Sequence, residues 1–293
     1  MTDYGPKITK LTGNEIRVAA DDRARAFWLI QKYSSLAYTR RMSVLFFNFV
    51  GGYEDFAKTK TAGVRFYRDN LTEFYADQAL LTKGLDLLER GYKIGYASIL
   101  QGSSFEDYLS GMRFEGGREN EEIGWRNGAP AVGLYSWADA AMTMKLRVAP
   151  TLKAEFAFPR ILTPFFGGPT PTRLPPSPPP HGPSIRTGDE VPTSGIWQPI
   201  SVPSGCPNYL WAGRYAPPAQ RATEMAEYPA FPGGRWNAPT PAHIDYNYGP
   251  EPTHWQLLWE DHRYEGGQVP DESGYLDPTT DPPIWPPQVI DPS

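Results

Sequence analysis

Leu174-Pro175-Pro176-Ser177-Pro178-Pro179-Pro180 is the stretch that divides this chain. Proline locks φ near −65° and removes the backbone N–H. Five prolines in seven residues therefore hold the backbone in an extended polyproline II helix. Such a segment serves as a linker or strap, or as a ligand for an aromatic groove; spacing two folded parts is its commoner use. Outward from it the composition changes. The first 160 residues contain four prolines (Pro6, Pro130, Pro150 and Pro159), and the remaining 133 contain 28. Two architectures are expected to be joined near residue 160. They are a helical bundle over 1–160 and a Trp/Pro-rich region over 193–293 packed on the helical part, with a Pro-rich linker or strap over 161–192 between them.

Toward the N-terminus the pattern is helical. Asp21-Asp22 opens an apolar-periodic run with Phe27, Ile30, Tyr33 and Ser34, Ala37 and Tyr38 spaced by three and four, and it is expected to end at Gly51-Gly52. Acidic residues at its start and Arg40-Arg41 late in it suit the helix dipole. A second run, from about Val64 to Leu88, repeats the spacing with Phe66, Tyr67, Leu71, Phe74, Tyr75, Gln78, Leu81, Leu85 and Leu88. Gly91 ends or bends it, and Tyr92–Leu100 reads as a further helix. Phe105–Leu109 reads as a short helix capped by Ser103 or Ser104. Leu134–Val148 reads as a helix stopped by Pro150. Glu115–Gly128 is polar and glycine-rich, hence a loop.

Beyond the proline stretch, Trp197, Trp211, Trp236, Trp255, Trp259 and Trp285 argue against disorder, which is poor in large aromatics. An ordered, largely irregular region is expected, with short helices and at most a few short strands. Trp255–Asp261 is the segment best suited to regular structure. The expected fold class is therefore mainly α.

At 293 residues the chain can bury a sizeable core. Its single cysteine, Cys206, excludes an intramolecular disulfide framework. Residues Met1–Pro6 lack the basic start and apolar run of a signal peptide. Val44–Val50 falls far short of the roughly 20 apolar residues a membrane span needs. The expected location is cytoplasmic. The net charge of −5 is unevenly spread: Val191–Ser293 carries four Arg, no Lys and twelve Asp or Glu. An acidic half disfavours nucleic acid and anionic lipid and favours a basic partner, although acidic surfaces also simply keep proteins in solution.

The residue patterns of catalysis are thin. There is no Gly-x-Ser-x-Gly elbow and no phosphate-cradling Gly-x4-Gly-Lys-Ser/Thr. The histidines His181, His243, His254 and His262 do not cluster at ligand spacing, so no metal and no cofactor are expected. Cys206 reads as a buried turn cysteine, since a nucleophilic thiol needs a base that the sequence does not place beside it. Arg118, Glu119, Glu121, Glu122, Trp125 and Arg126 form a charged loop suited to contact with a partner, or to plain solvation.

Four phrases carry a resemblance. They are Pro192–Trp197, Gly205–Gly213 followed by Ala216-Pro217, Trp255–Tyr264, and Gly267–Glu272. Together they resemble the immunity proteins 71 and 72 of bacterial polymorphic-toxin and type VI secretion loci. The resemblance implies binding and neutralisation of a co-encoded toxin or effector domain, a basic nuclease among the candidates. It implies no catalytic residues, so the chain is expected not to be an enzyme. Within these phrases Trp197, Cys206, Asn208, Tyr209, Trp255, Trp259, Glu260, Asp261, Arg263 and Tyr264 are expected to build structure rather than touch toxin. The rivals are an adaptor or structural protein of a secretion machine that uses the proline strap as its ligand, and an enzyme using Cys206 or the histidines near residue 260. Nothing in the sequence sets an oligomeric state.

Overall fold

The computed structural model describes residues 5–12, 15–59, 64–101, 129–167, 170–231 and 239–276. Among these residues it has six α-helices and two antiparallel sheets, 45% helix and 21% strand. The fold is therefore an α+β mixture, and the mainly α expectation is overturned by the seven strands. The described residues form two compact units, one from Met1–Ile30 and Ala154–Asp261, the other from Gln31–Lys153 and His262 onward.

The second unit is helical. The long run from Asp21 is two helices, α1 (Ala20–Tyr33), most of which belongs to the first unit, and α2 (Leu36–Lys58), which belongs to the second. Ser35 makes the break: its hydroxyl donates to the Lys32 carbonyl at 2.6 Å and accepts from the Tyr38 N–H at 3.2 Å, capping α2. Gly51-Gly52 does not end α2. A Cβ on Gly52 would collide with the Leu134 side chain, so this glycine admits the neighbouring helix instead of stopping its own. Helix α3 (Val64–Glu89) buries Tyr67, Phe74, Leu81 and Leu88, which recur every seven residues as a narrow seam. Gly91, at φ +81°, ends it, and α4 (Lys93–Gln101) follows.

Helix α5 (Ala129–Lys153) continues through Pro150, which was expected to stop it. Loss of one intrahelical bond near a helix end is tolerated here because Val148 and Leu152 are buried, and the Gln101 amide donates to the Leu152 carbonyl at 2.6 Å. Edge-to-face rings fill the unit, with Phe74 meeting Phe49 at 5.1 Å and Tyr53 at 5.2 Å. Phe105–Leu109 and Glu115–Gly128 lie outside the described residues.

The first unit holds the strands. They are β1 (Lys7–Lys10), β2 (Ser184–Arg186), β3 (Gly195–Pro199), β4 (Asn208–Leu210), β5 (Ala219–Tyr228), β6 (His243–Glu251) and β7 (His254–Glu260). A four-stranded sheet has the order β2-β7-β3-β4, and a three-stranded sheet the order β1-β5-β6. The prolines that suggested irregularity sit where sheets accept them: Pro199 ends β3, and Pro250 lies on the edge strand β6. Trp197 and Trp255, both fully buried, centre a core with Val191, Val202, Leu210 and Leu257. A short helix, α6 (Pro164–Gly167), precedes the proline strap. Among the described residues no helix is long and apolar enough to cross a membrane.

Candidate functional site

Several residues of the four phrases make internal hydrogen bonds and ring contacts. In the strand unit the Asn208 side chain bonds both backbone groups of Phe156, accepting at 2.8 Å and donating at 3.0 Å. The Tyr209 hydroxyl donates to Asp261 at 2.6 Å, and Thr193 donates to Glu260 at 2.6 Å. The Trp255 indole N–H donates to the Pro217 carbonyl at 2.8 Å. Trp259 meets Phe27 edge-on at 6.3 Å, and Trp197 lies in the core. A Cβ at Gly195 would collide with the Trp259 carbonyl, so only glycine lets β3 approach β7 there.

Cys206 is buried, and burial pushes its thiol well up, against a smaller opposing effect of Arg23. The neutral thiol is a poor nucleophile. His254 is within 3.1 Å of the Ser201 hydroxyl, and His262 within 2.9 Å of a Glu265 carboxylate oxygen. Among the described residues no three His, Cys, Asp or Glu side chains gather as a metal site would require.

In the helical unit Arg263, Tyr264 and Glu272 meet the start of α2. The Leu36 N–H donates to the Tyr264 hydroxyl at 2.8 Å, and the Ala37 N–H to Glu272 at 2.8 Å. Tyr264 in turn donates to Glu272. Arg263 donates to the Gln31 carbonyl at 3.1 Å and to Ser34 at 2.8 Å, and pairs with Glu272 at 3.5 Å. The carboxylate lies where the helix dipole and unsatisfied N–H groups favour negative charge. This phrase therefore closes the open end of α2.

The charge asymmetry read along the chain is redistributed by folding. Lys7 pairs in register with Glu227 and Lys10 with Glu224, so basic β1 lies along acidic β5. The strand unit's sequence segments contain eleven basic and thirteen acidic side chains, a net of only −2. The argument for a strongly basic partner loses most of its force.

Arg118, Glu119, Glu121, Glu122, Trp125 and Arg126 lie outside the described residues. The exposed feature that sequence reasoning missed is β6. Among the described residues it pairs with β5 on one side and is an edge of its sheet on the other. Ile244, Tyr246 and Tyr248 alternate with Asp245, Asn247 and Gly249, which gives the strand an apolar face and a polar face. Ile244 is 51% exposed, and the Asp245 side chain 66%. The signal was present as a period-two alternation from Ile244 to Gly249. An open edge of this kind offers unpaired N–H and C=O groups to an extended segment of another chain. No protein-family model, curated protein or solved structure matches this chain.

Proposed function

We propose that this chain is a bacterial immunity protein that binds a co-encoded toxin and blocks it by occlusion, with no catalysis and no cofactor of its own. The observation that carries the reading is the open edge of β6, with Ile244 and Asp245 exposed on opposite faces. An extended toxin segment pairs there, placing apolar side chains beside Ile244 and Tyr246 and a cation beside Asp245. Backbone bonds supply affinity, and the alternating side chains supply specificity. A stable complex of this type buries about 1,600 Å² in total, so surfaces beyond one strand take part. Two further observations support binding over chemistry. The Cys206 thiol is buried and held neutral, and Glu260, Asp261 and Glu272 accept internal hydrogen bonds. The four phrases resembling immunity proteins 71 and 72 point the same way.

The test is coexpression with the toxin encoded next to this chain's gene. The wild type is expected to restore growth and to copurify with the toxin. Ile244→Lys and Asp245→Lys together are expected to lose both while melting as the wild type does. Failure of the wild type in both assays removes the immunity reading. Full protection by the double variant removes the β6 edge as the contact.

A further inference from the structure

The proline strap lies outside the β6 edge proposed for toxin binding. Polyproline II repeats every three residues, so Arg173, Pro176 and Pro179 share one edge, while Leu174, Ser177 and Pro180 share another. Arg173, Pro176 and Pro179 are all exposed, whereas on the second edge Leu174 and Ser177 are half-buried and Pro180 is exposed. On the third edge Pro175 is exposed and Pro178 half-buried. The helix thus turns one complete edge, reading Arg-x-x-Pro-x-x-Pro, to solvent. A mere spacer has no need of such sorting.

Both ends of the strap are fastened within the strand unit. Before it, buried Phe166 of α6 packs edge-on against Phe156 at 5.8 Å. After it, the His181 N–H donates to the Leu257 carbonyl at 2.8 Å, and Ser184–Arg186 pairs with β7 as strand β2. The segment is held extended before any partner arrives, so binding loses little chain entropy.

We propose that Arg173–Pro180 is a preformed polyproline ligand for a partner protein with an aromatic-lined groove and a carboxylate beside it. The Pro176 and Pro179 rings lie between the groove's aromatic faces, and strap carbonyls other than that of Pro179, which lies 3.1 Å from the His181 ring nitrogen, accept hydrogen bonds from its indole and phenol groups. The Arg173 guanidinium pairs with the carboxylate and sets the direction in which the strap lies. This proposal goes beyond toxin occlusion and stands whether or not that reading holds.

The test is titration of the intact chain into an isotopically labelled SH3 domain that takes Arg-x-x-Pro-x-x-Pro peptides, followed by chemical-shift changes. A synthetic peptide of residues 170–182 serves as reference. The intact chain is expected to move the resonances of the aromatic groove and to bind at least as tightly as the peptide. Pro176→Ala with Pro179→Ala, and separately Arg173→Glu, are expected to weaken binding by about tenfold or more. Pro175→Ala, on a different edge, is expected to stay within about threefold of the wild type. Binding by the peptide and none by the intact chain would show the strap to be a spacer. No binding by either, or equal binding by all variants, would also overturn the proposal.

Discussion

Asn208 and Phe156 are joined as two strands would be: the side-chain amide of one matches the backbone N–H and C=O of the other, at 2.8 and 3.0 Å. Asn208 is fully buried. Replacing it with alanine strands two buried backbone groups, each worth about 1–3 kcal/mol when unsatisfied. Asn208→Ala is expected to cost about 2–4 kcal/mol, read as a lower urea midpoint at unchanged slope. Asn208→Asp keeps the acceptor and sets a carboxylate against the Phe156 carbonyl, so it should recover little. An unchanged midpoint for Asn208→Ala would refute the pairing.

Two glycines should respond to alanine with opposite signs. At Gly195 the new methyl meets the Trp259 carbonyl, part of the backbone of β7, and neither strand can yield without losing its partner. Gly195→Ala is expected to destabilise by about 3 kcal/mol or more. Gly51 lies inside α2 with nothing within 4 Å of its would-be Cβ. Gly51→Ala should stabilise by about 0.5–1 kcal/mol, the helix propensity difference. Thermal melts of the two variants decide it.

Buried tyrosines set an alkaline limit. Burial pushes the phenols of Tyr53, Tyr96 and Tyr248 up to about 12, and that of Tyr264 is raised as well. The unfolded chain releases these protons near the ordinary tyrosine value of about 10. Folding therefore favours the protonated form, and its contribution is complete below pH 10 and lost as pH climbs toward 12. Stability should fall steeply over that window, with tyrosinate absorbance at 295 nm rising together with unfolding. Tyr96→Phe should make the fall shallower. Gradual ionisation of all tyrosines near pH 10 in the folded chain would contradict the burial.

Cys206 offers a local probe. Its thiol is inside the strand unit and held neutral. A thiol reagent at pH 8 should react with the native chain at least about 100-fold more slowly than with the urea-unfolded chain. Cys206→Ala should protect cells from the toxin as well as the wild type does. Fast native labelling would mean that the thiol is reachable.

Helices α3 and α4 were legible because their burial follows from local spacing, and Tyr67, Phe74, Leu81 and Leu88 are a pattern any one segment displays. Strand β5 was not. Of its ten residues, Ala219 to Tyr228, seven are Ala, Arg, Glu or Met, which favour helices, and two, Thr223 and Tyr228, are strand formers. It is a strand because Lys7–Lys10, from the other end of the sequence, pairs along one side of it and His243–Glu251 along the other. Proline misled in the same way, since its ban on central strands does not extend to the edge and end positions that Pro250 and Pro199 occupy. At the candidate interface the alternation in β6 could be read from the chain alone, but its open edge could not.

The sequence by itself determined the helical seams, the extended strap at Leu174–Pro180 and the need to bury the tryptophans of the C-terminal part. Each of these is a local property, set by side-chain period, by proline's fixed φ or by apolar area. Only the tertiary structure decided which strands exist, that basic β1 lies along acidic β5, and that Glu272 closes the start of α2. Sheet hydrogen bonds and charge pairs join residues distant along the chain, and no window of sequence contains both partners.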